Sequence, residues 1–127
     1  YRNCVMDFDF KFGDGTVDSG IFVRTKSKQI QLGISGSLML DMTGSPYVSG
    51  KGYPVEAEGV ADLLQEDDWN QMTIVVQENE YAVWLNDKLV MTYESESDVR
   101  TGPIGIQLHG NRVMAISFRD IRIAALD

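Results

Sequence analysis

Residues 4–12 constrain the fold more than any other part of the chain. Cys4, Met6, Phe8, Phe10 and Phe12 occupy every second position, with Asp7, Asp9 and Lys11 between them. Period two puts all five apolar groups on one face of an extended strand and the charges on the other. A helix would scatter the same groups around its circumference. The alternation returns at residues 21–25, 29–33, 72–77, 81–86, 88–93, 104–109 and 113–118. Turn signals punctuate it at Gly13-Asp14-Gly15, Asn86-Asp87, Gly102-Pro103 and Gly110-Asn111. Phe118 and Ile121 both read as core-facing, so a bulge is expected at Arg119-Asp120, with Ile121 and Ile123 continuing the core face. Residues 58–64 suggest a short helical turn and nothing longer. Short strands with Gly and Asn turns predict an all-β sandwich or barrel, one domain over residues 1–127.

The 127 residues are 43% hydrophobic, enough for one core, and no run approaches a membrane-spanning length. Eleven basic against 19 acidic residues leave a net charge of −8. That field repels a phosphate backbone, so no nucleic-acid partner is expected, and no basic amphipathic stretch suggests a membrane surface. Cys4 and His109 are each single, which gives no disulfide and no metal cluster. Cys4 reads as a small buried apolar side chain. No signal-peptide pattern opens the chain, which starts directly in a strand, as a trimmed piece of a longer product would.

Three groups of residues could carry chemistry. Gln107 and His109 share one strand face, with Ile106 and Leu108 pointing to the core. An amide beside an imidazole can hold sugar hydroxyls or move a proton, or the pair can be ordinary strand surface. Arg24, Gln29 and Gln31 sit on wet faces of consecutive strands and suit bidentate hydrogen bonding, or are plain polar surface. The aperiodic stretch 34–68 holds Asp41, Tyr47, Tyr53 and Glu56, and a loop of that length is usually functional. No carboxylate pair stands out there for glycoside hydrolysis. Trp69 is expected in the core; Trp84 suits either the core or a sugar ring. Asp14 and Asp18 could meet calcium, but their spacing matches no calcium loop. Nucleotide loops, nucleophile elbows and zinc-protease motifs are absent.

Six segments in order are similar to the 3-keto-disaccharide hydrolase family. Ser19-Gly20-Ile21-Phe22-Val23-Arg24 resembles its "SGIFFR" strand, and Gln29-Ile30-Gln31-Leu32 sits where it carries Glu-Val-Gln-Ile. Trp69-Asn70 resembles "EWN", and Trp84-Leu85-Asn86-Asp87 resembles "WLNG". Residues 102–110 resemble "GPIGLQxHG", and Phe118-Arg119-Asp120-Ile121-Arg122 resembles "FRNIR". The resemblance implies a concanavalin A-like jelly-roll sandwich with a carbohydrate groove, in a family commonly exported by bacteria, hence an extracellular or periplasmic setting. Carried over by position, Arg24, Gln31, Gln107 and His109 line the groove. The loop from Ser35 to Pro54 resembles that of a subgroup with a "GISGSLKRDMTGS" segment, which places Asp41 and Tyr47 near the groove mouth.

The family's reaction implies His109 as base or metal ligand, and Arg24 or a divalent metal ion as electrophile; the cofactor is otherwise unknown. Gln29, Gln31, Asp41, Tyr47, Trp84 and Gln107 are the expected substrate-binding residues. Three departures bear on this. Gln29 replaces a glutamate, Val83 stands where many members have histidine, and the strands that usually precede Tyr1 are missing. The last predicts an open sheet edge, or one covered by a partner chain or missing segment. Two functions follow: cleavage of glycosidic bonds in 3-keto-disaccharides or related glycosides, or non-catalytic carbohydrate binding.

Overall fold

The computed structural model describes residues 1–97, 99–108 and 113–126. Two antiparallel sheets face each other. The first has the order β7-β6-β5-β1-β9, from β1 (Asn3–Gly15), β5 (Asn70–Gln77), β6 (Glu80–Leu85), β7 (Lys88–Glu94) and β9 (Met114–Leu126). The second has the order β4-β3-β2-β8, from β2 (Asp18–Val23), β3 (Lys28–Gly33), β4 (Pro46–Val48) and β8 (Ile104–Gln107). A single helical turn, α1 (Val60–Leu63), lies between β4 and β5. This is the all-β concanavalin A-like sandwich.

The alternation of residues 4–12 works as expected. Cys4, Met6, Phe8 and Phe10 are buried, and they meet Ile21, Ile30 and Leu32 of the second sheet together with Met72, Ile74 and Val83 of their own. The strand does not turn at Gly13. It runs on to Gly15 because β9 pairs with it past an irregularity between Phe12 and Gly15, where Gly15 takes φ +85°. A Cβ there would meet the Val113 carbonyl oxygen at 2.0 Å, so glycine is required. At the β6–β7 hairpin Asn86 and Asp87 both take positive φ, the geometry of a two-residue type I′ turn.

The expected bulge is present. Between the pairs Asp7↔Arg122 and Asp9↔Arg119 two residues of β9 oppose one of β1, and Asp120 takes φ +52°. The burial expected beyond it is not: Ile121 is 45% and Ile123 37% exposed. Ile106 and Leu108, also assigned to the core from the sequence, are 39% and 71% exposed. The cause is topological. β9 and β8 each end a sheet, and among the described residues no strand closes the gap beside them. Trp69 is a further departure from the core: it is half-buried, with the Arg119 guanidinium 3.9 Å from its ring centroid.

Candidate functional site

Register across the second sheet builds the site. Gly20 of β2 pairs with Gln31 of β3 on one side and Gln107 of β8 on the other. The two glutamines therefore flank a glycine on the outer face, two strand spacings or about 10 Å apart. Asp18 shares that face two residues before Gly20, and Gln29 lies two residues before Gln31. β4 then places Tyr47 opposite Gln29, and the backbone pairing of Val48 with Gly52 folds the chain back to bring Tyr53 alongside. The Tyr47 and Tyr53 rings meet edge-on at 5.1 Å. Ser35 and Ser37 complete a cavity of about 220 Å³ lined by these side chains.

Its polar groups form a directed chain. Gln29 Nε2 donates to Gln31 Oε1 at 3.0 Å, and Gln31 Nε2 donates to Asp18 Oδ1 at 2.7 Å. The Gly36 amide donates to Asp18 Oδ2 at 3.0 Å. Gln31 is 1% and Asp18 5% exposed, so these partners replace water that the loop over the sheet has removed. Gln107 Oε1 is buried with no hydrogen-bond partner among the described residues, an acceptor facing a polar cavity. Burial pushes the Tyr53 phenol above its ordinary value, the Ser35 side chain opposes this, and the Asp18 and Tyr47 charges add to it. The phenol therefore stays protonated and able to donate at neutral pH.

Gln29, Gln31, Tyr47 and Gln107 thus come together as the sequence suggested, although Gln29 and Gln31 are buried by the loop rather than wet. Three other expected residues do not reach the cavity. Arg24 is the clearest correction. Strand parity would aim it outward with Gly20 and Phe22, but its φ of +67° turns it into the end of the sandwich. There its guanidinium donates to the Arg2 and Glu78 carbonyls and lies 5.9 Å from the Tyr81 ring centroid. Asp41 is exposed, accepts from the Thr43 amide at 2.8 Å, and borders a separate hollow with Glu66 and Asp67. Trp84 lies on the outer face of the other sheet, in a depression of about 470 Å³ with Val75, Ala82 and Thr92. That depression is larger, but the smaller cavity holds the buried amides and carboxylate that recognition requires. His109 lies outside the described residues.

From the sequence, Asp18 reads only as a carboxylate that could meet calcium and Tyr53 only as one of four polar loop residues; neither is assigned to the groove. The signal for Asp18 was available, since it shares its strand face with Gly20. Tyr53 depends on a reversal at residues 48–52 that periodicity does not reveal. Among the described residues, no group of three or more His, Cys, Asp or Glu side chains is disposed to hold a metal ion.

Comparison with known proteins adds to this geometry. A family model described as a 3-keto-alpha-glucoside-1,2-lyase-like domain matches residues 1–124. No curated protein matches the sequence. Among solved structures, a Parabacteroides distasonis protein provisionally described as a glycosyl hydrolase superposes with a TM-score of 0.65 at 21% identity, covering 99% of this chain and 79% of its own. The carbohydrate-binding module CBM66 of Bacillus subtilis gives a TM-score of 0.71 at 11% identity, with 98% and 76% covered. A galectin from Caenorhabditis elegans gives 0.60 at 9% identity, with 97% and 83% covered. At these identities the structural likenesses establish the fold alone.

Proposed function

The chain belongs to the family of 3-keto-alpha-glucoside-1,2-lyase-like domains, and from that premise we propose that the Gln31–Asp18 cavity holds one ring of a 3-keto glycoside whose glycosidic bond the protein cleaves. The observation that carries this reading is the buried Gln29–Gln31–Asp18 chain beside Gln107 Oε1, which has no hydrogen-bond partner among the described residues. A fixed carboxylate and an amide oxygen both accept hydrogen bonds, and sugar hydroxyls supply them.

The proposed reaction uses the substrate's own ketone. A carbonyl at C3 acidifies the proton on C2. A base removes that proton, its electron pair becomes the C1–C2 double bond, and the C1–O bond breaks. The aglycone oxygen takes up a proton and leaves as an alcohol. Water then adds across the double bond, hydroxyl to C1 and proton to C2. His109, two residues beyond Gln107, is assigned the base, and the protonated Tyr53 phenol the donor to the developing enolate oxygen.

The test is release of alcohol from a 3-keto glucoside by the purified chain. His109→Ala should abolish release and retain binding, whereas Gln31→Ala should weaken binding. Undiminished turnover in His109→Ala removes the base from that residue. Gln29, an amide where the family has a carboxylate, favours a second reading of sugar binding without turnover. Saturable binding of a 3-keto glucoside with no alcohol released would select it.

A further inference from the structure

Immediately after the serines that line the cavity, Leu38, Met39 and Leu40 are 46%, 74% and 58% exposed. Three consecutive large apolar side chains in water are unusual on a loop, and this loop is not loose. The Met39 amide donates to the Ser35 carbonyl at 2.8 Å, and the Ser35 amide to the Leu40 carbonyl at 2.8 Å. Ser35 Oγ accepts from the Leu38 amide at 3.3 Å, and a bridge between Ile34 and Asp41 closes the base. Gly36 ties the same loop to Asp18 inside the cavity. Met39 holds φ +58°, a conformation that glycine or asparagine adopts more readily. A hydrogen-bonded turn with a left-handed Met39 thus presents apolar groups directly after Ser35, Gly36 and Ser37, which line a polar pocket.

The cavity, at about 220 Å³, is smaller than the roughly 300–1,000 Å³ that encloses a drug-sized ligand. It has room for little more than one sugar ring, so the remainder of a glycoside must lie on the rim. We infer that Leu38, Met39 and Leu40 form a specificity lip that contacts an apolar aglycone, making the preferred ligands aryl or alkyl glycosides rather than glycosides of a second sugar. The inference rests on the sugar-pocket reading above. Continuity with that pocket is what assigns the lip to the ligand rather than to another surface: Ser35 and Ser37 line the cavity, and the lip is the next turn of the same hydrogen-bonded loop.

The experiment compares methyl and phenyl glucosides, which lack the C3 carbonyl and so are not eliminated, by calorimetric titration. The wild-type chain is expected to bind the phenyl glucoside about tenfold more tightly, the effect of burying roughly 55 Å² of additional apolar surface. The double variant Met39→Asn, Leu40→Ser changes only exposed groups and should bring the ratio to about one while leaving the methyl glucoside affinity unchanged. Equal wild-type affinities for the two ligands, or a preference the double variant retains, overturn the lip and leave the pocket standing. Absence of binding by both ligands while a 3-keto glucoside still binds overturns the lip and leaves the pocket standing; absence of binding by the 3-keto glucoside as well overturns the pocket reading and the lip with it. Equal affinities together with flotation on phosphatidylcholine vesicles, or with a dimer that the double variant dissolves, would assign the apolar turn to a membrane or to a second copy, against the inference.

Discussion

The Gln29–Gln31–Asp18 chain has a direction, and Gln31→Glu reverses its central link. In the wild type Gln31 donates to Asp18 at 2.7 Å and accepts from Gln29 at 3.0 Å, both with buried atoms. The substitution keeps the shape and still accepts from Gln29, but sets a second carboxylate against the first. With charges about 4 Å apart and an effective dielectric constant near 20, the repulsion is about 4 kcal/mol. The alternative is for the pair to keep one proton at pH 7, three units above an ordinary carboxylate, which also costs about 4 kcal/mol. Either route destabilises the fold at neutral pH, and both disappear in acid.

The sign follows from proton counts. Between about pH 4 and the pair's raised folded pKa, the native variant binds more protons than the unfolded chain, so its stability falls as pH rises. Urea titrations at pH 4.5 and 7.5 test this. The variant should lose about 3 kcal/mol more than wild type between the two pH values, at constant m-value. Gln31→Leu is the control: it forfeits two hydrogen bonds, about 2–3 kcal/mol, at both pH values alike. Parallel pH curves for wild type and Gln31→Glu would refute the proximity of these groups, and the chain of bonds with it.

Other outcomes follow from the same structure. Gly20→Ala puts a Cβ 2.9 Å from the Gln29 amide and from the Ile30 carbonyl oxygen, so it should destabilise by about 1–3 kcal/mol and weaken sugar binding roughly tenfold by calorimetry. Lys28 is 4% exposed, and burial, then the Arg24 and Arg100 charges, lowers its pKa from 10.5. The unfolded chain therefore binds the extra proton between the folded value and 10.5, and wild-type stability gains from this residue as pH rises through that window. Lys28→Met should be more stable by about 1 kcal/mol at pH 7, the advantage vanishing by pH 10.5 in denaturant titrations. The Tyr81 hydroxyl is buried, and burial raises its pKa above 10.0, with the Arg24 charge and side-chain hydrogen bond opposing the rise. Above that pH the native state holds the proton that the unfolded chain loses, so stability falls. Tyr81→Phe should therefore lose less stability than the wild type above pH 10, measured by thermal melts.

Much of the fold was legible because period two is a direct image of a sheet with one buried face. Residues 4–12, the Asn86-Asp87 turn and the bulge before Ile121 were all read from local pattern alone. Exposure of Ile121 and Ile123 was not, because burial of a core-facing residue depends on a neighbouring strand that its own sequence does not encode. In the site, strand parity brought Gln29, Gln31 and Gln107 together, as expected of positions two apart on paired strands. It misplaced Arg24 because a single left-handed residue breaks the parity, and for a non-glycine residue sequence gives little warning of that. Trp84 alternates correctly within its strand, yet parity cannot say which of two sheets a strand joins.

The charge content of the cavity bears on what it can do. Most glycosidases set two carboxylates about 5–9.5 Å apart, one to protonate the leaving group and one to attack or to activate water. Among the described residues that line this cavity, Asp18 is the single carboxylate, and both its oxygens already accept hydrogen bonds. Gln29 keeps it so. An amide at that position donates to Gln31 Oε1, which turns the Gln31 amide nitrogen toward Asp18; a carboxylate at position 29 would compete for that same nitrogen. The pocket is therefore better suited to grip hydroxyls than to drive acid-assisted displacement. A 3-keto sugar does not need the second carboxylate, because its own carbonyl acidifies the neighbouring proton and leaves the protein to position the ring and supply a base. The residue that weakens the case for an ordinary glycosidase is thus compatible with elimination from a keto sugar. The cavity geometry and the family's chemistry meet at that point, with turnover of a 3-keto glucoside as the measurement that decides between cleavage and binding alone.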